Sequence, residues 1–234
     1  MPNVAIDATT IADRVARVRE RIARAALRAS RNPNAIKLVA VAKGISPESI
    51  RAAAAVGIDG VGENRLQEAE SKMPVLADLP LEWHFIGRLQ RRKAKDVVGR
   101  FTLIHSVDSI ELAEEIDRRA AAAGVVQAVL IQVNIGGEAS KAGFPPEAVT
   151  SAIASCDNLR QIHVRGLMAI PPAVKNAGDA RPYFRRLHEL AASIDGLRLR
   201  ELSMGMSGDF EVAVEEGATY VRIGTAIFGE RAER

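Results

Sequence analysis

Leu38-Val39-Ala40-Val41-Ala42-Lys43 is a run of five apolar residues closed by a lysine. An uninterrupted apolar stretch of that length, with two β-branched members, predicts a strand buried on both faces, as in a parallel sheet. A lysine at the end of such a strand has its stem in the core and its amine at the rim of the sheet. Partial desolvation weakens its preference for the charged form. A neutral amine can then condense with a carbonyl to form a Schiff base. The plainer reading is a solvated lysine that marks the strand's end, and taken alone it is the commoner one.

The same grammar repeats outward from this run. Strands are expected at 37–42, 59–62, 82–86, 101–105, 126–134, 162–168, 199–202 and 219–223. Helices fall between them, at about 47–56, 64–72, 90–98, 109–123, 146–156, 180–193 and 209–216. Ile11, Val15, Val18, Ile22 and Ala26 add an amphipathic first helix, with Thr9 or Thr10 as its expected cap. Gly57, Gly99, Gly124 and Gly217 stand where helices should stop. Strands alternating with helices give a parallel α/β protein. A doubly wound sheet is one solution. The count of eight, a length of 234 residues and the lack of a Gly-x-Gly-x-x-Gly after the first strand favour a single closed (β/α)8 TIM-type barrel over 1–234. No linker or repeat divides the chain, and Pro171–Gly178 reads as a loop after strand six.

Composition narrows the function. The chain is 47% hydrophobic and 4% aromatic, so its core is aliphatic. One cysteine, Cys156, excludes an internal disulfide and fits a reducing compartment; it reads as a packing residue at a helix end. Met1–Asp7 has no basic region followed by an apolar stretch, and no apolar run approaches a bilayer span, so a cytoplasmic protein is expected. Net charge is only +3. Basic residues cluster at Arg14–Arg31 and Arg88–Lys95. Without a nucleic-acid motif or aromatics to stack bases, these read as solvated helix faces.

The unusual residues gather at strand ends, where barrels of this kind place their chemistry. Lys43 ends the first strand, Asn64 follows the second, and His84 lies at the third. Met168 ends the sixth, Ser203–Gly208 follow the seventh, and Arg222-Ile223-Gly224-Thr225 close the eighth. Ser203–Gly208 offer hydroxyls and backbone N–H groups, and the next helix adds its N-terminus. Gly224 and Thr225 add two backbone donors. Together these describe a phosphate cradle. Arg222 faces the same way as Gly224, and an inward arginine needs an acceptor such as a heteroaromatic ring nitrogen. The surface alternative is pairing with Glu211 or Glu215. An amine for an aldehyde, a phosphate cradle and a donor for a ring nitrogen specify pyridoxal 5′-phosphate.

Six motifs now resemble one family: Val39–Lys43, Val61–Asn64, Glu82–Gln90, Arg165–Pro171, Leu202–Ser207 and Val221–Gly229. They are similar to those of the pyridoxal phosphate homeostasis proteins, single barrels related to the N-terminal domain of alanine racemase. The resemblance covers nearly all of the chain after residue 36. It implies that Lys43 carries the cofactor as an aldimine and that Arg222 faces the pyridine nitrogen. It further implies that Ser207, Gly224 and Thr225 hold the phosphate, with Asn64, His84 and Met168 near the cofactor. Ala42 stands where the family often has serine, and Arg91-Arg92-Lys93 is unusually basic.

The implied role is to hold, buffer or deliver the cofactor inside the cell, with apo pyridoxal-phosphate enzymes as recipients, no catalytic residues, no metal, and no nucleic-acid or membrane partner. A monomer is expected. Two enzyme readings compete. A Schiff-base aldolase lacks a lysine in strand six, 162–168, and gives Arg222 no ring nitrogen to face. A small amino-acid racemase needs a second base opposite Lys43. Alanine racemases take a tyrosine from a further domain, which a chain ending at Arg234 is expected to lack. Tyr183 is placed on a helix, and Tyr220 is expected to face away from Arg222.

Overall fold

Eight strands pair in chain order and close: β1 (Lys37–Val41), β2 (Gly60–Glu63), β3 (Glu82–Phe85), β4 (Leu103–Val107), β5 (Gln127–Val133), β6 (Ile162–Ala169), β7 (Glu201–Ser203) and β8 (Tyr220–Ile223). All pairs are parallel, and β8 returns to β1 with Val39 opposite Arg222. The computed structural model describes residues 7–194 and 199–230. The readings on the first six positions and on the end at Arg234 lie outside them. Among the described residues no helix is long and apolar enough to cross a membrane.

The strands form because their apolar runs are buried twice. One face of each looks outward onto α1 (Ala8–Arg28), α2 (Pro47–Ala54), α3 (Leu66–Lys72), α4 (Ala94–Val97), α5 (Ile110–Ala123), α6 (Val149–Cys156), α7 (Arg181–Ser193), α8 (Phe210–Glu215) and α9 (Thr225–Phe228). The other looks into the barrel, where Val39, Leu103, Leu130, Met168 and Tyr220 form a separate apolar cluster. Gly57, Gly99, Gly124 and Gly217 all have positive φ, as expected of residues that end helices.

Helix α1 precedes the first strand and packs against α8, α2 and α9 through Ile11, Val15, Val18, Ile22, Ala25 and Ala26. Its arginines tie it down: Arg19 to Asp59 at 2.6 Å, Arg21 to Glu211 at 2.8 Å and Arg28 to Glu215 at 2.7 Å. The basic row is therefore a fastening. Cys156 is buried at the end of α6, and burial pushes its thiol up to about 11, as a packing residue requires.

Three expectations are corrected. Helix α1 begins at Ala8, so Thr9 and Thr10 lie within its first turn and Asp7 occupies the cap position without a side-chain bond. Strand β4 runs two residues later than 101–105, because Phe101 leaves the strand to pack edge-on against Phe85, ring centroids 5.3 Å apart. The segment 90–98 opens as a 3-10 turn at Arg91–Lys93, and only Ala94–Val97 is α-helical.

Candidate functional site

Lys43 sits two residues past β1, where Gly44 turns the chain at φ +69°. Both flanking peptides are anchored. The Ala42 carbonyl accepts from Lys72 Nζ at 2.8 Å, and the Gly44 N–H donates to Glu68 Oε2 at 2.6 Å. Lys72 Nζ also donates to Glu63 Oε1 at 2.6 Å and to Glu68 Oε2 at 3.1 Å. Glu63 and Lys72 are buried. Burial raises the Glu63 carboxyl against the pull of Lys72. Lys43 itself is half-buried and has no hydrogen bond or ion pair within the described residues, so its amine is available. The sequence reading passed over this cluster. The only local signal was the i,i+4 spacing of Glu68 and Lys72.

Asn64 follows β2, half-buried, with its Oδ1 buried and unpartnered. The exit of β3 passes against it. A Cβ on Gly87 would lie 2.3 Å from the Asn64 carbonyl oxygen, so only glycine allows this approach.

Arg222 is buried and points inward. One terminal nitrogen, Nη1, donates to Ser203 Oγ at 2.5 Å, and the other, Nη2, to the Ala169 carbonyl at 3.0 Å. Burial lowers its pKa to about 10, with Asp209 opposing, so it stays charged at neutral pH. The surface alternative fails, since Glu211 pairs with Arg21 and Glu215 with Arg28 and Arg181.

Ser207 Oγ accepts from the backbone N–H groups of Gly224 at 3.3 Å and Ala226 at 3.2 Å, with Thr225 exposed between them. A hydroxyl and two backbone amides thus meet at one point. A Cβ on Gly224 would meet nothing nearer than Val41 Cβ at 3.5 Å.

Lys43, Asn64, Ser207, Gly224 and Thr225 therefore share the C-terminal mouth, with Arg222 just inside it. His84 and Met168 lie deeper. Met168 belongs to the inner apolar cluster. His84 Nδ1 is 2.9 Å from His105 Nε2, and its ring packs beside Tyr220. Tyr220 is a correction. It was expected to face away from Arg222, but residues two apart on a strand face the same way, and it lies inside the barrel at the start of β8, bonded to Glu201 at 3.1 Å. It is still remote from Lys43, on grounds of depth. Tyr183 is on α7.

The comparisons with known proteins bear on family and fold. The family model described as the N-terminal domain of alanine racemase matches residues 6–232. A pyridoxal phosphate homeostasis protein of Aquifex aeolicus is 50% identical over 94% of this chain and 97% of its own length. Another, from Pseudomonas aeruginosa, is 44% identical over 95% and 96%. Among solved structures, PipY of Synechococcus elongatus with pyridoxal phosphate bound superposes with TM-score 0.79 at 39% identity, covering 94% of this chain and all of that one. An alanine racemase of Clostridium difficile, 16% identical with TM-score 0.71, shares the fold over 94% of this chain and 57% of its own.

Proposed function

The chain belongs to the alanine racemase N-terminal domain family, among the pyridoxal phosphate homeostasis proteins, and from that premise we propose that it binds pyridoxal phosphate at the barrel mouth and holds it for delivery to apo enzymes, with no dedicated reaction of its own. When bound, the cofactor supplies an aldehyde, a phosphate and a pyridine nitrogen. The residues present fit each of these. Lys43 offers an amine without a competing partner, on a backbone anchored on both sides. Ser207 and the amides of Gly224 and Ala226 form an anion nest. The orphaned Oδ1 of Asn64 is a buried acceptor awaiting a donor.

Arg222 is the observation that carries the reading. A buried guanidinium held by Ser203 and the Ala169 carbonyl presents donors only. It therefore supports a ring nitrogen that accepts and carries no proton. Such a ring is a weaker electron sink, so carbanion chemistry at the substrate receives less help. Proton removal and return on opposite faces also needs a base across from Lys43, and both tyrosines are elsewhere. The racemase alternative therefore has little support.

Loaded protein mixed with an apo pyridoxal-phosphate enzyme should restore that enzyme's activity. The same protein incubated with single L- or D-amino acids should give little racemisation or transamination. Substantial turnover that depends on Lys43, with no transfer, would overturn the carrier reading.

Ser207→Ala tests the cradle. It removes the hydroxyl that gathers two amides but leaves the amides themselves, so affinity for pyridoxal phosphate should fall by about tenfold, in line with the loss of one charge-assisted hydrogen bond. Binding of pyridoxal, which lacks the phosphate, should be unchanged. Equal loss for both ligands, measured by equilibrium dialysis, would place the phosphate elsewhere.

A further inference from the structure

Behind Arg222 the barrel interior holds a polar file, hydrogen-bonded as far as His84. Ser203 Oγ lies 2.8 Å from His105 Nδ1, and His105 Nε2 lies 2.9 Å from His84 Nδ1. His84 Nε2 faces Glu82 Oε2 at 3.5 Å, and Lys37 Nζ binds the same carboxylate at 3.1 Å. These groups come from β8, β7, β4, β3 and β1. His84, His105 and Ser203 are 1%, 0% and 0% exposed, whereas Lys37 and Glu82 reach solvent at the strand starts. The file thus runs from the C-terminal mouth to the opposite end of the barrel.

We propose that His105 and His84 are positioning residues for Arg222: through Ser203 they hold the guanidinium in a single orientation, with its remaining N–H groups directed to the mouth. The inference rests on the proposed cofactor reading for its purpose, though not for its geometry.

The direction of every bond follows from the two ends. Arginine has no acceptor, so Ser203 Oγ must accept from it. The Ser203 proton then has one described acceptor, His105 Nδ1. His105 therefore carries its proton on Nε2 and donates to His84 Nδ1. His84 in turn carries its proton on Nε2, directed at Glu82. That last contact, at 3.5 Å, is too long to count as a hydrogen bond, and His84 Nε2 is buried without a closer partner. Glu82 is held down to about 2 by His84 and Lys37, so it is an anion and an acceptor. The surroundings of His105 oppose cation formation there. Burial, His84, Arg222 and Arg165 all lower His105, while Tyr220 packs edge-on at 5.7 Å and donates to Glu201. A neutral imidazole is what the file needs, because a doubly protonated ring could not accept from Ser203.

The first test uses cofactor-free protein and ¹⁵N NMR of its four histidines. His105 and His84 should each show a protonated Nε2 and a bare Nδ1, and His105 should stay neutral from pH 5 to pH 9. A proton on His105 Nδ1 overturns the proposal, whether or not the protein binds pyridoxal phosphate. The second test uses Ser203→Ala, a small change that cuts the file at its junction with Arg222. Pyridoxal phosphate affinity should fall by about tenfold, and the pH midpoint of the bound cofactor's absorbance should move. Adding His105→Asn to Ser203→Ala should move neither further. Wild-type affinity and midpoint in Ser203→Ala, or additive losses in the double variant, would show that the histidines only fill space. Failure of the wild-type protein to bind pyridoxal phosphate would overturn the cofactor reading and leave the NMR result to decide the file.

Discussion

Lys72→Met is expected to destabilise the cofactor-free protein by about 3–5 kcal/mol, the usual result of removing one partner from a buried ion pair. For a chain of this size that is a fall of roughly 10 °C in Tm. Lys72 Nζ makes three bonds, to Glu63, Glu68 and the Ala42 carbonyl. Glu63 is fully buried, and its second oxygen already lacks a partner. Without Lys72 that carboxylate has no cation. Its folded-state pKa, already raised by burial, must rise further.

The sign of the pH dependence follows. The folded variant binds a proton at Glu63 that the unfolded chain releases near the ordinary carboxylate range, so stability falls as pH rises between the two values. The defect should be smaller at pH 5 than at pH 8 in urea titrations. Lys72→Met combined with Glu63→Leu should recover most of the loss, because an apolar pair of similar volume carries no desolvation penalty. A cost below about 1 kcal/mol, or one equal at both pH values, would contradict a buried and uncompensated charge.

That cluster also shows where sequence stops being informative. Lys43 was legible because a buried parallel strand is a continuous apolar run, and a lysine ending it is conspicuous. The glycines that stop helices were legible because a positive φ at a C-cap selects glycine locally. Ser207 and Gly224 could be paired through the known habit of phosphates to sit after strands seven and eight of such barrels. Tyr220 could have been placed correctly by strand periodicity alone, since it is two residues from Arg222.

The polar file was beyond reach. Periodicity says that His84, Ser203 and Arg222 face inward, but not that His105 links them. His105 and Ser203 are 98 residues apart and meet only when the barrel closes. The Lys72 anchor is close in sequence to Glu63, yet its bond to the Ala42 carbonyl crosses from α3 to the end of β1. Strand β4 was misplaced because apolarity does not tell whether Phe101 lies in the sheet or packs beside Phe85. Local rules thus located the mouth, and closure of the barrel supplied what stands behind it.

Lys43→Ala is expected to abolish covalent retention of pyridoxal phosphate entirely while leaving the fold intact. Lys43 makes no hydrogen bond or ion pair within the described residues, so truncating it unpairs nothing. Borohydride treatment of the loaded native protein should fix one cofactor mass on Lys43. A modified lysine resists trypsin, so the label should appear on a peptide running from Leu38 to Arg51. The variant should carry no fixed label anywhere. Lys72 is the informative competitor. It contacts the peptide carbonyl just before Lys43, yet its Nζ is committed to Ala42, Glu63 and Glu68, so it is not free to attack an aldehyde. Label on Lys72 would show that the buried cluster is the reactive site and Lys43 the spectator. In the variant the remaining attachment depends on Arg222 and the Ser207 nest, so cofactor should still bind reversibly and leave on dialysis. Such a protein should deliver pyridoxal phosphate at once but not keep it, which would separate storage, expected of Lys43 after β1, from recognition, expected of Arg222 and the Ser207 nest beside it on β7 and β8.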